Sequence, residues 1–145
     1  MFYNLDEVKE RIKTHEGFVN YVYKDTLGKR TVGYGHLCTD NENWEDGKCY
    51  DNAYLNDVFE IDFMEATKQT EKLIGNLVLE KEANEIILEM VFQLGKTGVS
   101  KFKKMWEALS GQDYNKAADE MLDSKWAKQT KNRAESLASI MRSLA

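Results

Sequence analysis

The chain has 145 residues, 42% of them hydrophobic and 31% charged, so it is long enough for one buried core and typical of a soluble globular protein. Its net charge of −5 at pH 7 argues against a general nucleic-acid-binding protein, because such proteins neutralise phosphates with Lys and Arg. No apolar run approaches the roughly 20 residues of a bilayer crossing, and the charged N-terminal sequence is unlike a secretory signal. We therefore expect neither nucleic-acid binding nor membrane insertion.

The charge is unevenly distributed along the chain. Residues 1–95 carry 10 basic and 19 acidic side chains, whereas residues 96–145 carry 10 basic and 6 acidic ones. The basic C-terminal third could face an anionic polymer, although an unevenly charged, solvated surface is the more common explanation.

The first predicted element is a helix that ends at Gly17. Asn4 is a typical N-cap residue, and the apolar residues that follow it recur at helical spacing. Glu16 falls in the last turn, where unpaired carbonyl groups favour the neutral form of a carboxyl group.

A β-hairpin is predicted next. From Phe18 to Gly35, aromatic and β-branched residues flank a turn at residues 27–29. If the hairpin turns about Gly28, Asp25 and Thr31 are cross-strand neighbours, and a carboxylate and a hydroxyl group share one face. The polar, acidic segment 39–52 is predicted to be a loop or a short third strand.

Everything after about residue 54 has helical periodicity. Breaks are expected at Gly95, Gly98 and Gly111, and again near residues 129–130. A helix, a small antiparallel sheet and a helical bundle in this order predict an α+β fold that is mainly α.

Glu16, Asp25 and Thr31 together have the residue types of a glycoside hydrolase site. That chemistry needs an acid to protonate the leaving oxygen and a second carboxylate to activate water, and it needs no metal or cofactor. The alternative stays open at this point, because a Glu before a helix-ending Gly and an Asp at a turn are also ordinary capping and turn residues.

The run EGFVNYVYKDTLGKRTVGYGHL resembles the active-site segment of phage lysozymes of the T-even type, glycoside hydrolase family 24. The resemblance continues at MVFQLGKTGV, residues 90–99, and at SKWAKQTKNRA, residues 124–134. It implies a single two-lobed lysozyme domain over residues 1–145. The sheet lobe would span about 18–54, the helical lobe about 1–17 and 76–145, and the connecting helix about 54–75.

The resemblance also implies a muramidase that cleaves between N-acetylmuramic acid and N-acetylglucosamine and inverts the anomeric centre. Glu16 would be the general acid, and Asp25 with Thr31 would position the attacking water. The cleft residues implied by the match are Leu37 and Phe92 as saccharide contacts, with Gln93, Thr130 and Asn132 as a polar shell, although each could equally be a core or capping residue. The match also implies that Arg133 pairs with the catalytic glutamate, which would oppose the pKa rise expected at the helix end.

Three further residue types need an explanation. Asp62 lies on the apolar stripe of its helix, where an unpaired carboxylate is costly, and the resemblance implies His36 as its structural partner. Cys38 and Cys49 flank the 39–52 segment and are interpreted as reduced thiols, with a disulfide as an alternative. A zinc site that also uses His36 ranks last, since no fourth ligand can be named.

In biological terms, the resemblance implies a monomeric phage endolysin with peptidoglycan as its substrate. Without an export signal, such an enzyme would stay in the host cytoplasm until a holin gives it access to the periplasm and the cell wall. The alternatives are a catalytically inactive lysozyme fold that binds saccharide or serves as a virion component, and a lytic transglycosylase.

Overall fold

The structure is a computed structural model that describes residues 3–145. Within that range it has seven helices, none long and apolar enough to cross a membrane. The helices are α1 (Leu5–Glu16), α2 (Asn52–Ile74), α3 (Lys81–Ser100), α4 (Lys103–Ser110), α5 (Tyr114–Leu122), α6 (Lys125–Gln129) and α7 (Lys131–Arg142). The strands are β1 (Val19–Lys24), β2 (Arg30–Gly33) and β3 (His36–Leu37). The predicted fold class, α+β and mainly α, is confirmed.

The chain divides into two compact units. The sheet unit is Lys9–Glu65, and the helical unit combines the described residues up to Val8 with Ala66–Ala145. The division passes through helices α1 and α2. The predicted lobe boundaries near residues 18, 54 and 76 stay a prediction.

Helix α1 begins and ends at the predicted residues. Asn4 Oδ1 accepts a hydrogen bond from Glu7 N at 3.3 Å, which confirms the N-cap. Gly17 donates its backbone N–H to Lys13 O and adopts a φ of 72°, a left-handed conformation that glycine takes without strain. Glu16 is therefore held in the last helical turn.

The sheet is antiparallel in the order β1-β2-β3, but the predicted hairpin register is wrong. Tyr23, not Asp25, is the cross-strand partner of Thr31. Of the two alternatives predicted for the segment 39–52, the structure has the loop, and the third strand is β3 at His36–Leu37, which pairs with β2. Residues 38–51 form a loop.

The register differs because the turn is centred on Leu27 rather than on Gly28. Asp25 Oδ1 accepts hydrogen bonds from Leu27 N at 2.9 Å and Lys29 N at 2.8 Å. The backbone N–H of Asp25 donates to Lys29 O at 2.9 Å. Asp25 is thus the first residue of the turn, immediately after β1.

The core of the sheet unit joins the end of helix α1 to the start of α2. Its most buried apolar side chains are Ile12, Val32, Leu55, Phe59 and Phe63. Lys13 Nζ lies 5.1 Å from the ring centroid of Tyr34 and 4.9 Å from that of Phe59, and it donates to Asn56 Oδ1 at 3.1 Å. These cation–π and hydrogen-bonding contacts fix the helix turn that carries Glu16.

Helix α3 supplies much of the core of the helical unit. All eight residues of the run Ala83–Met90 are buried, and Ile86, Ile87 and Leu88 have no measurable exposed surface. The predicted break at Gly95 is a kink with φ 79° and ψ 162°, but α3 continues through Gly98 to Ser100. Helix α7 packs on α3, α5 and α6.

Candidate active site

Asp25 and Thr31 are oriented by the backbone of the same turn. Asp25 is half-buried, and both of its turn hydrogen bonds are accepted by one carboxylate oxygen, Oδ1. Thr31 is buried, and its hydroxyl group donates to Lys29 O at 3.0 Å. The hydroxyl proton of Thr31 is therefore directed at the protein, while its oxygen keeps lone pairs that can accept.

Tyr23 responds to the charges of both predicted carboxylates. Burial raises the pKa of the Tyr23 phenol, and the charges of Glu16 and Asp25 raise it further. Tyr23 is the strand partner of Thr31, and Glu16 and Asp25 lie in the same compact unit. Four side chains from α1, β1, the turn and β2 thus gather in the sheet unit.

Gly35 makes room for the Glu16 carboxyl group. It lies between β2 and β3 with a φ of 75°, and a Cβ atom built on it would overlap the Glu16 carboxyl group. Glu16 is half-buried there. Only glycine satisfies both the backbone conformation and the close approach.

His36 lies between two carboxylates. Its Nδ1 is 2.7 Å from Asp62 Oδ2, the pair that the sequence predicts, and its Nε2 is 3.0 Å from Glu42 Oε1. The hydrogen bond to Asp62 is the main cause that raises the pKa of His36 to about 9; burial opposes it, and Glu42 adds to the rise. The imidazolium form therefore bridges β3, α2 and the loop at residues 38–51 at neutral pH.

Glu42 organises that loop. Its Oε1 accepts from Thr39 N at 2.9 Å and from Trp44 Nε1 at 3.0 Å. Burial acts to raise the pKa of Glu42, but the hydrogen bonds from Thr39, His36 and Trp44 outweigh it and lower the pKa. The Trp44 ring in turn contacts that of Tyr50, with centroids 4.9 Å apart.

Cys38 and Cys49 are free thiols in this loop, Cys38 half-buried and Cys49 exposed. Across residues 3–145, no three His, Cys, Asp or Glu side chains are grouped so that they could hold a metal ion.

The remaining predicted site residues are distributed over both units. In the sheet unit, Leu37 is 48% exposed on β3. In the helical unit, Phe92 is half-buried, Asn132 is exposed, and Gln93 and Thr130 are both bonded to Trp126. Gln93 Oε1 accepts from Trp126 Nε1 at 2.9 Å, and Thr130 Oγ1 donates to Trp126 O at 3.0 Å.

Arg133 forms a buried ion pair in the helical unit. Its Nε donates to Glu89 Oε2 at 2.9 Å, and Glu89 has no exposed surface. Sequence reasoning missed Glu89, although an acid within the apolar stripe of α3 is the same signal that singled out Asp62. The pairing of Arg133 with Glu16 stays a prediction.

Sequence reasoning also missed Tyr23, Gly35 and Glu42. Gly35 could have been found from the paired glycines of VGYGH, since such pairs mark left-handed backbone. Tyr23 and Glu42 carried no local signal.

A family profile described as phage lysozyme matches residues 13–142. The chain belongs to the phage lysozyme family. It is 28% identical to probable T4-type lysozymes 2 and 1 of Dictyostelium discoideum, each over 94% of both chains. It is also 29% identical to the pre-baseplate central spike protein Gp5 of Enterobacteria phage T4, over 91% of this chain but 27% of Gp5.

Membership of the phage lysozyme family supports a muramidase-like function for the chain. It also makes peptidoglycan the implied substrate and glycoside hydrolysis the implied reaction class. The match begins at residue 13 and so includes all the residues gathered around Tyr23.

Proposed function

We propose that the chain is an endo-acting muramidase that hydrolyses the bond between N-acetylmuramic acid and N-acetylglucosamine in bacterial peptidoglycan. The observation that carries the proposal is the placement of three predicted side chains in the sheet unit. Glu16 lies against Gly35, and Asp25 and Thr31 both form hydrogen bonds with the backbone of Lys29. Two carboxyl groups with separate supports are what acid-assisted glycoside hydrolysis requires.

Glu16 acts as the general acid. It lies at the carboxyl end of α1, and in its protonated form it donates a proton to the glycosidic oxygen as the bond breaks. The leaving sugar then departs as an alcohol, and positive charge develops on the muramic acid ring.

Asp25 acts on the water. The turn holds its Oδ1 with two backbone N–H groups, which orients the carboxylate to accept a proton from water. Thr31 accepts a hydrogen bond from the second O–H of the water through its hydroxyl oxygen, and that proton stays on the oxygen that attacks. The water attacks the face opposite the leaving group, so the anomeric centre is inverted.

The biological role that follows is host-cell lysis by a phage endolysin. The protein would act as a monomer, remain in the host cytoplasm and reach the periplasm and cell wall through a holin-dependent step. Leu37 and Phe92 would contact the saccharide.

The decisive experiment is product analysis on purified peptidoglycan in water enriched in ¹⁸O. Hydrolysis by the wild type is expected to yield muropeptides with ¹⁸O at the reducing muramic acid, seen by mass spectrometry. Glu16→Gln and Asp25→Asn are each expected to slow release at least about a hundredfold. Glu10→Gln, an exposed acid on the same helix, is the matched control and should keep the wild-type rate.

A second candidate function has the support of one comparison, the likeness to the T4 central spike protein. In that case the chain is an inactive saccharide-binding or structural part of a virion. A wild type that binds peptidoglycan but releases no product would favour this function over hydrolysis. Anhydro-muramic acid products without ¹⁸O would instead indicate a lytic transglycosylase and contradict water attack.

A further inference from the structure

Asp25 and Thr31 can both act only as acceptors toward a bound water. A carboxylate has no proton to donate, and the Thr31 hydroxyl proton is already directed to Lys29 O at 3.0 Å. A water between them therefore donates one hydrogen bond to each. Its two lone pairs then remain, one for the anomeric carbon and one that needs a donor to fix the orientation.

Tyr23 carries a donor on this side of the sheet. Cross-strand partners in an antiparallel pair present their side chains on the same face, with Cβ atoms about 5 Å apart, and Tyr23 is the partner of Thr31. Asp25 follows two positions later, at the start of the turn after β1, and the backbone of Lys29 in that turn bonds both Asp25 and Thr31. Tyr23 is half-buried, so its side chain is partly packed and partly accessible to solvent.

The surrounding charges keep this donor protonated. Burial and the nearby carboxylates of Glu16 and Asp25 raise the pKa of Tyr23 above its ordinary value of 10.0. The phenol therefore donates a hydrogen bond throughout the working pH range and does not compete with Asp25 for the water proton.

We propose that Tyr23 is the third residue that binds the attacking water, as the hydrogen-bond donor beside the acceptors Asp25 and Thr31. This role rests on the proposed hydrolytic function. With two acceptors and one donor engaged, the water keeps a single lone pair, directed at the anomeric carbon. One water proton passes to Asp25, the oxygen bonds to carbon, and Tyr23 keeps its own proton.

The test is a double-mutant cycle on kcat with Tyr23→Phe and Thr31→Val, each of which removes one hydroxyl group and keeps the shape. Each single variant is expected to lower kcat about tenfold, with KM unchanged. Because both hydroxyl groups hold one water, the double variant should lose little more than either single one, rather than about a hundredfold. Tyr54→Phe, which removes an exposed phenol from α2, is the control and should match the wild type.

Folding is separated from chemistry by two measurements. Each kcat is expressed per folded molecule, from the far-ultraviolet circular dichroism at the assay temperature. Oligosaccharide affinity, measured with the Glu16→Gln variant in the presence and absence of Tyr23→Phe, should not change, since the water and not the ground-state sugar is affected.

Three results would overturn the role of Tyr23 while leaving hydrolysis intact. They are a Tyr23→Phe variant as fast as the wild type, single-variant losses that multiply fully in the double variant, and a rise in KM at constant kcat. A wild type that releases no product would overturn the proposed function, and this role with it.

Discussion

The carboxyl group of Glu16 occupies the space into which a side chain at Gly35 would point. We expect Gly35→Ala to lower the activity of each folded molecule, because the new methyl group must displace that carboxyl group. It should also lower the free energy of unfolding. The left-handed backbone adds about 1 kcal/mol or more of strain. Activity per folded molecule and urea unfolding measure the two effects.

Gly47→Ala is the matched control for this prediction. Gly47 also has a positive φ, 79°, but nothing lies within 4 Å of a Cβ atom built on it. Gly47→Ala should lower the free energy of unfolding through backbone strain alone and leave the activity per folded molecule unchanged. Equal activity in the two variants would contradict the proposed contact between Gly35 and Glu16.

The loop at residues 38–51 depends on the charge of His36. The pKa of His36 is raised to about 9 in the folded protein, mainly by Asp62, against about 6.5 in an unfolded chain. The contribution of protonated His36 to the free energy of unfolding is therefore complete below about pH 6.5 and is lost as the pH rises through about 9. We expect the free energy of unfolding to fall by about 3 kcal/mol across this range, as measured by urea unfolding.

His36→Gln should remove the fall in the free energy of unfolding between about pH 6.5 and 9. The variant should be less stable than the wild type at neutral pH, with a stability that changes less with pH. Glu42→Gln should reduce the decline and increase solvent quenching of Trp44 fluorescence, since Glu42 bonds both His36 and Trp44. An unchanged slope in His36→Gln would show that the imidazolium does not stabilise the fold.

At the scale of elements, local sequence decided the helices but not the strand register. Helix periodicity and the caps at Asn4 and Gly17 act within a few residues, so the fold class and the position of Glu16 could be predicted. The hairpin register could not be predicted, because it depends on which backbone groups the Asp25 side chain bonds. Tyr23 and Glu42 could not be predicted, because their roles depend on contacts that no periodic pattern in the sequence indicates.

The whole molecule carries a net charge of −5, while residues 96–145 are basic. Peptidoglycan with free carboxylates repels such a protein on average, and salt screens that repulsion. We expect the rate of peptidoglycan release to rise as salt increases from about 10 mM to about 0.1 M. A short uncharged oligosaccharide substrate, the control, should show no such rise.

The opposite trend would be equally informative about the charge distribution. A rate that falls steadily with salt would mean that attraction by the basic residues 96–145 outweighs the net charge. It would contradict the expectation drawn from the average and would locate wall binding in the helical unit.

Asp25 has a structural task that exists whether or not the protein cleaves anything. Its side chain closes the hairpin turn by accepting from Leu27 and Lys29, so selection for folding alone would preserve an aspartate there. Among related chains, the presence of this aspartate is consequently a poor marker of an active enzyme. The glutamate at position 16 is a better one, since the hydrogen bonds that close this turn are accepted by Asp25 and not by Glu16.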